Sequence, residues 1–137
     1  MGVSGGRFHA ARLTPGADLI DGLRAAHGAL GADALAVVTC VGSLTRAVLR
    51  HADRAVGTSY AGRFEILSLA GTTDPAHHHL HLSIADGDGR VFGGHLLPGS
   101  SVHTTAELVV VALDDLSFRR APCPASGHAE LVIEPRG

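Results

Sequence analysis

His77-His78-His79-Leu80-His81-Leu82-Ser83-Ile84-Ala85-Asp86-Gly87-Asp88-Gly89-Arg90-Val91-Phe92-Gly93-Gly94-His95-Leu96-Leu97 is the stretch that decides the fold. Two alternating runs flank Asp86-Gly87-Asp88-Gly89, a turn composition, so the segment predicts an antiparallel hairpin with strands over 78–85 and 90–97. A three-residue loop, Gly87-Asp88-Gly89 with Gly89 left-handed, is one of the common connections. It sets Ile84 opposite Phe92, Leu80 opposite Leu96 and His81 opposite His95. One face is then consistently apolar, and the other carries His77, His79, His81 and Ser83 beside Gly93, His95 and Leu97. A two-residue loop would slip the register by one and send His95 into the apolar face, so phase consistency selects the longer loop.

This register suits a metal ion. Residues two apart on a strand point the same way, and directly opposed residues have Cβ atoms about 4.5–5.5 Å apart. The imidazoles of His79, His81 and His95 can therefore converge on one ion and leave a fourth position for water or substrate. Three nitrogen ligands with an open position is a catalytic zinc arrangement, although iron, nickel or copper would also accept it. Gly93 and Gly94 leave room for a ligand or another backbone. The competing reading of the trio is a pH-sensitive or merely polar strand face. Of the other histidines, His9, His27, His51 and His128 read as surface or hydrogen-bonded residues. His78 is out of phase and caps the apolar face, His77 is a spare or water-bridged ligand beside the Pro75 loop, and His103 is a loop residue.

The rest of the composition narrows the class. The chain has 137 residues, the size of one domain, with 45% hydrophobic and only 18% charged residues, which favours a packed core over disorder. All 11 basic residues are arginine, against 13 acidic ones, for a net charge of -2. A protein that lives by phosphate contacts would normally be basic. The longest apolar runs, 34–41 and 108–113, fall well short of the roughly 20 residues of a bilayer span, so no membrane partner is expected. Residues 1–8 are Gly-rich and do not read as a secretory signal. Cys40 and Cys123 are far apart and read as reduced thiols. The expected location is cytoplasmic.

Working outward from the hairpin, residues 7–14 predict an opening strand that Thr14-Pro15-Gly16 breaks. Leu19, Ile20, Leu23, Ala26 and Leu30 have helical spacing, predicting a helix over 18–30 stopped by Gly31. Further strands are predicted over 34–41, 44–50, 63–69, 106–113 and 129–133. No repeat, linker or domain boundary interrupts them. The expected fold is α+β: a single domain, mainly antiparallel β-sheet, curled, with one principal helix. Apolar strands such as Leu108-Val109-Val110-Val111-Ala112-Leu113 seek cover on both faces, and one helix cannot supply it. Either the sheet curls or copies of the chain cover one another, so a homo-oligomer is expected.

Several stretches together resemble a known family. They are Gly62-Arg63-Phe64-Glu65-Ile66-Leu67-Ser68-Leu69-Ala70-Gly71, His79-Leu80-His81-Leu82-Ser83 and Gly93-Gly94-His95-Leu96. Gly42-Ser43-Leu44 leading to Arg50, Thr105-Ala106-Glu107-Leu108-Val109, Phe118-Arg119-Arg120 and the run from Gly127 through Leu131 to Ile133 complete the pattern. The chain resembles the plants-and-prokaryotes-conserved (PPC) domain, also called DUF296, over residues 7–134, in its bacterial stand-alone form. Residues 1–6 and 135–137 are expected to be flexible termini.

The resemblance implies a single domain around an antiparallel sheet that assembles as a homotrimer. In plants the domain follows AT-hook motifs, whose Arg-Gly-Arg-Pro core enters the DNA minor groove, and bacterial members are often labelled DNA-binding. This chain has no such core, since Pro135-Arg136-Gly137 is not one, and with the net charge this weighs against DNA as partner. The His-x-His with a later third histidine is also similar, more remotely, to the zinc site of acetolactate decarboxylases. That similarity implies a metal that polarises a carbonyl, with a carboxylate and an arginine handling protons and substrate charge. Glu65 and Glu107 are the strand carboxylates near the motifs, and Arg46, Arg50 and Arg63 could hold an anion. Of these, Glu65 and Arg50 are the catalytic candidates, with ion pairing on a strand face or at a trimer interface as the plain alternative. The leading expectation is a trimeric metal-binding protein with zinc on His79, His81 and His95. A zinc-dependent lyase or hydrolase, a DNA-binding or regulatory module, and a small-molecule ligand are the alternatives.

Overall fold

The computed structural model describes all residues, Met1–Gly137. Eight strands and one helix follow in the order β1 (Gly6–Leu13), α1 (Leu19–Leu30), β2 (Leu35–Arg50), β3 (Thr58–Thr73), β4 (His78–Ala85), β5 (Val91–Leu96), β6 (Ser101–Leu113), β7 (Leu116–Cys123) and β8 (His128–Pro135). The α+β class, the mainly antiparallel sheet and the single helix are as the sequence predicts.

Six strands form one antiparallel sheet in the order β1-β6-β2-β3-β4-β5. The sheet curls until β5 meets β2, with Leu49 opposite Leu96 and Arg50 opposite His95. This closure turns β2-β3-β4-β5 into a ring, and its inner face carries Leu44, Leu49, Ile66, Leu80, Leu82, Ile84 and Leu96, all buried. The curl therefore supplies part of the cover that a flat apolar sheet would lack.

Helix α1 supplies more. Asp18 caps it by accepting from the Asp21 N–H at 3.0 Å, and Gly31 closes it in the left-handed conformation. Leu19 and Leu23 are wholly buried in the main core, each worth about 1.5–3 kcal/mol of transfer free energy. His27 ties the helix to its surroundings. Its Nε2 donates to the Ala32 carbonyl at 2.9 Å, and Nδ1 meets the Thr73 hydroxyl.

Four sequence expectations change. The segments 34–41 and 44–50 are one strand, β2. Gly42, at φ 155, lies where a Cβ would overlap the Thr105 carbonyl, so it marks a bend against β6 and not an end. Strand β3 extends well beyond 63–69, because β2 continues beside it from Leu35 to Leu49. Strand β6 starts at Ser101, which makes His103 a strand residue. Strand β7 was not foreseen: Arg119, Arg120 and Pro122 mask its alternation. It pairs with β8 from Leu116↔Pro135 to Cys123↔His128, and Leu116 and Phe118 pack with Ala34, Leu113, Leu131 and Ile133 into a small second core.

The outward face of β1, β2 and β3 keeps Phe8, Val38, Val41 and Leu67 at least half exposed. No helix is long and apolar enough to cross a membrane. Cys40 and Cys123 are both free, and burial pushes the Cys40 thiol up to about 11.

Candidate metal centre

The site is built on the β4–β5 hairpin. The Asp86 carboxylate accepts from the Asp88 and Arg90 N–H groups, both at 2.9 Å, and Gly89 at φ 79 completes the turn. This three-residue loop yields His81↔His95, Ser83↔Gly93 and Ile84↔Phe92, the register derived from phase alone. His79 and His81 stand on the outward side of β4, and His95 faces them from β5. Ring centroids lie 5.0 Å apart for His79–His81, 5.5 Å for His79–His95 and 5.9 Å for His81–His95. One nitrogen from each lies within 4.8 Å of the other two, a spread that side-chain rotation can gather to metal–nitrogen distances of about 2.0–2.1 Å.

Hydrogen bonding sets three other histidines apart from this trio. His27 has both ring nitrogens committed. So has His51, whose Nδ1 donates to the Gly93 carbonyl at 3.0 Å while Nε2 meets the Tyr60 hydroxyl at 2.6 Å. His77, read from sequence as a spare ligand, is turned to Asp74 at 3.2 Å instead. The ring nitrogens of His79, His81 and His95 make no hydrogen bond in the protein. Burial, His81, Arg120 and Arg50 push the His79 pKa down, against a smaller pull from Glu130. Burial and then Arg50 push His95 down. Both effects favour the neutral imidazole, the form that ligates metal.

The loop before β4 aims the trio. Asp74 accepts from the Ala76 and His77 N–H groups, both at 2.7 Å, and Arg24 donates to the carbonyls of Asp74 at 2.8 Å and Pro75 at 2.6 Å. Burial alone would raise the Asp74 carboxyl, but the two N–H donors and His77 more than offset it and hold it below its ordinary value. Its contribution to stability is thus present above the ordinary carboxylate pKa and lost as pH falls through the lowered one. Asp74→Ala is expected to cost about 1–3 kcal/mol in urea unfolding at neutral pH. The gap between variant and wild type should narrow in acid.

A cavity of about 810 Å³ opens over the trio, its wall including Arg50, Arg54, Ser68 and Ser83. A second, of about 410 Å³, shares Arg50, His79, His95 and His128 with it and adds Arg120 and Glu130. Arg50 is brought there by the β2–β5 closure. Glu65 is not: it is exposed on β3 opposite Ser43 and Ala85 and lines neither cavity. Glu107 lines a shallow groove with Arg12 elsewhere, and Arg46 and Arg63 also lie outside both cavities. Two carboxylates reach these cavities: Asp53 the first and Glu130, with His128 beside it, the second. Glu130 and His128 come from β8, whose sequence carries no motif announcing the contact.

A curled antiparallel sheet with three histidines converging beside its closing seam defines a small α+β protein with a metal-ligand geometry. The chain belongs to the Plants and Prokaryotes Conserved (PCC) domain family, whose model matches residues 2–114. Among solved structures, a hypothetical protein from Salmonella enterica is 42% identical, with a TM-score of 0.96 and 98% of each chain covered. A metal-containing protein from Archaeoglobus fulgidus is 26% identical, with a TM-score of 0.79, 96% of this chain and 99% of that one. Among curated relatives, the bifunctional protein GlmU of a Synechococcus strain is 43% identical over 93% of this chain and 21% of its own length. AT-hook motif nuclear-localized protein 18 of Arabidopsis thaliana is 27% identical over 93% of this chain and 49% of its own. The chain thus spans about a fifth of the first relative and half of the second.

Proposed function

We propose that this protein is a self-assembling, metal-binding domain, a homotrimer holding one zinc ion per chain on His79, His81 and His95. The observation that carries the reading is the convergence of three ring nitrogens within 4.8 Å with no other protein group bonded to them. Three imidazoles suit zinc, and a three-ligand set leaves a position open to a fourth ligand. The metal-containing Archaeoglobus relative supports the metal, and the exposed Phe8, Val38, Val41 and Leu67 on one outward sheet face support self-association. A cytoplasmic setting, with zinc arriving from the cellular pool, completes the reading.

DNA as partner gains little from this surface. The net charge is -2, and the two solved structures described as putative DNA-binding proteins are 18% identical to this chain and share its fold alone. Native mass spectrometry of protein purified without a histidine tag tests assembly and metal together. The expected species is three 14.0 kDa chains with three zinc ions. A metal-free species after zinc supplementation would overturn the metal reading, and a monomer or dimer would overturn the trimer.

A further inference from the structure

We infer that the metal centre takes a small molecule bearing a carboxylate, held between the ion's open position and the Arg50 guanidinium. This rests on the metal reading above and adds the chemistry of the ligand. The observation behind it is how the arginines are used. Of 11 in the chain, Arg7, Arg12, Arg24, Arg63, Arg119 and Arg136 commit side-chain donors to protein acceptors. Arg46, Arg50, Arg54, Arg90 and Arg120 commit none; three of these five, Arg50, Arg54 and Arg120, line the two cavities around the histidine trio, and none of the committed six does.

Arg50 is the best placed of them. It is the last residue of β2, directly opposite His95, and its carbonyl packs where a Gly94 Cβ would stand at 2.8 Å. Its main chain is therefore fixed by the closing seam, and the guanidinium lines both cavities. A divalent ion on the three histidines brings two positive charges to the cavities, to which Arg50, Arg54 and Arg120 add, against Asp53 and Glu130 alone. None of these five side chains is ion-paired, since the pairs in the chain are Arg7–Asp114, His77–Asp74, Arg119–Glu134 and Arg136–Asp33. An acidic chain that gathers unpaired cations at two adjoining cavities, with Arg50 in both, is built for an anion.

The kind of anion follows from the remaining donors. Phosphate sites commonly draw on a helix N-terminus, and here the only helix start is capped by Asp18, which also accepts from the Gly99 N–H. A planar carboxylate fits the guanidinium fork with two parallel N–H···O bonds. Ser68 and Ser83 hydrogen-bond each other on the cavity wall. One hydroxyl donates to the other, so the second keeps a proton for the ligand.

Cobalt(II) substitution tests this, because the visible spectrum of the bound ion reports what occupies its coordination positions. Acetate is expected to change the spectrum saturably, and acetamide, its neutral counterpart, to leave it unchanged. Arg50→Gln should still bind one cobalt per chain but lose at least tenfold in acetate affinity, whereas Arg46→Gln, outside both cavities, should match the wild type. Failure of the wild type to bind cobalt would remove the metal reading itself. Cobalt binding with an acetate response equal in Arg50→Gln and wild type, or with inorganic phosphate binding more tightly than acetate, would overturn the carboxylate assignment and leave the metal in place.

Discussion

His81→Ala is expected to empty the metal centre. His81 is directly across from His95 and two residues from His79, so its removal leaves two imidazoles on different strands. Altering merely an outer-shell partner costs about 10–100-fold in metal affinity, and removing a ligand from a set of three should cost at least 100-fold. Folding should hardly notice, because the His81 side chain is exposed and makes no hydrogen bond. Competition with a chromophoric chelator measures the affinity, and a melting series with added zinc measures the linkage. Zinc at 100 times its dissociation constant should stabilise the wild type by about 2.7 kcal/mol and the variant hardly at all. His77→Ala is the companion variant: its ring faces Asp74, so its zinc affinity should equal that of the wild type. A His81→Ala protein that keeps one zinc per chain would falsify the three-histidine assignment.

The reason this trio was legible in the sequence is that hairpin registers are local. The turn composition at Asp86–Gly89 marks the hairpin, the phase of the apolar face selects the loop length, and loop length fixes which residues face each other across only a few positions. The helix was legible for a similar reason, since Asp18, the apolar spacing and Gly31 are consecutive cues. Arg50 could be nominated from a motif, but its place beside His95 depends on β2 meeting β5, a contact between residues far apart in sequence. No periodicity within either strand encodes that closure. Glu65 shows the opposite failure. It sits in a family-like stretch, yet alternation along β3 only says that it faces outward, not which part of the outer surface lies beneath it. Glu130 and His128 were missed because β7 and β8 are a separate two-stranded sheet whose path over the site is set by Leu116 and Phe118 packing at its other end. Local pattern carried the ligands, and tertiary closure carried the groups around them.

How closely β3 packs on β4 beneath the trio can be tested at a residue that touches no metal. Gly71 lies in β3 opposite Leu80, between Ala70 and Thr72, which face His81 and His79. Its φ of 142 is a conformation L side chains rarely adopt, and a Cβ there would overlap the His79 carbonyl, with the Leu80 Cα at 3.0 Å. The obstructing atoms are backbone, so no rotamer change relieves the clash, and β3 and β4 must separate. Backbone strain of about 1–3 kcal/mol and overpacking of about 1–3 kcal/mol add to an expected loss of about 2–6 kcal/mol for Gly71→Ala. For a chain of this length that is a fall in Tm of roughly 5–20 °C. Gly87→Ala supplies the contrast, since no atom lies within 4 Å of a Cβ there and its φ is not positive, so its stability should stay within about 0.5 kcal/mol of wild type. Zinc affinity should fall in Gly71→Ala as well, because the strand that moves carries His79 and His81 while His95 remains on β5. A Gly71→Ala protein with unchanged Tm would show that β3 and β4 do not approach this closely. One with lowered Tm and unchanged zinc affinity would show that the trio is held by the β4–β5 hairpin alone.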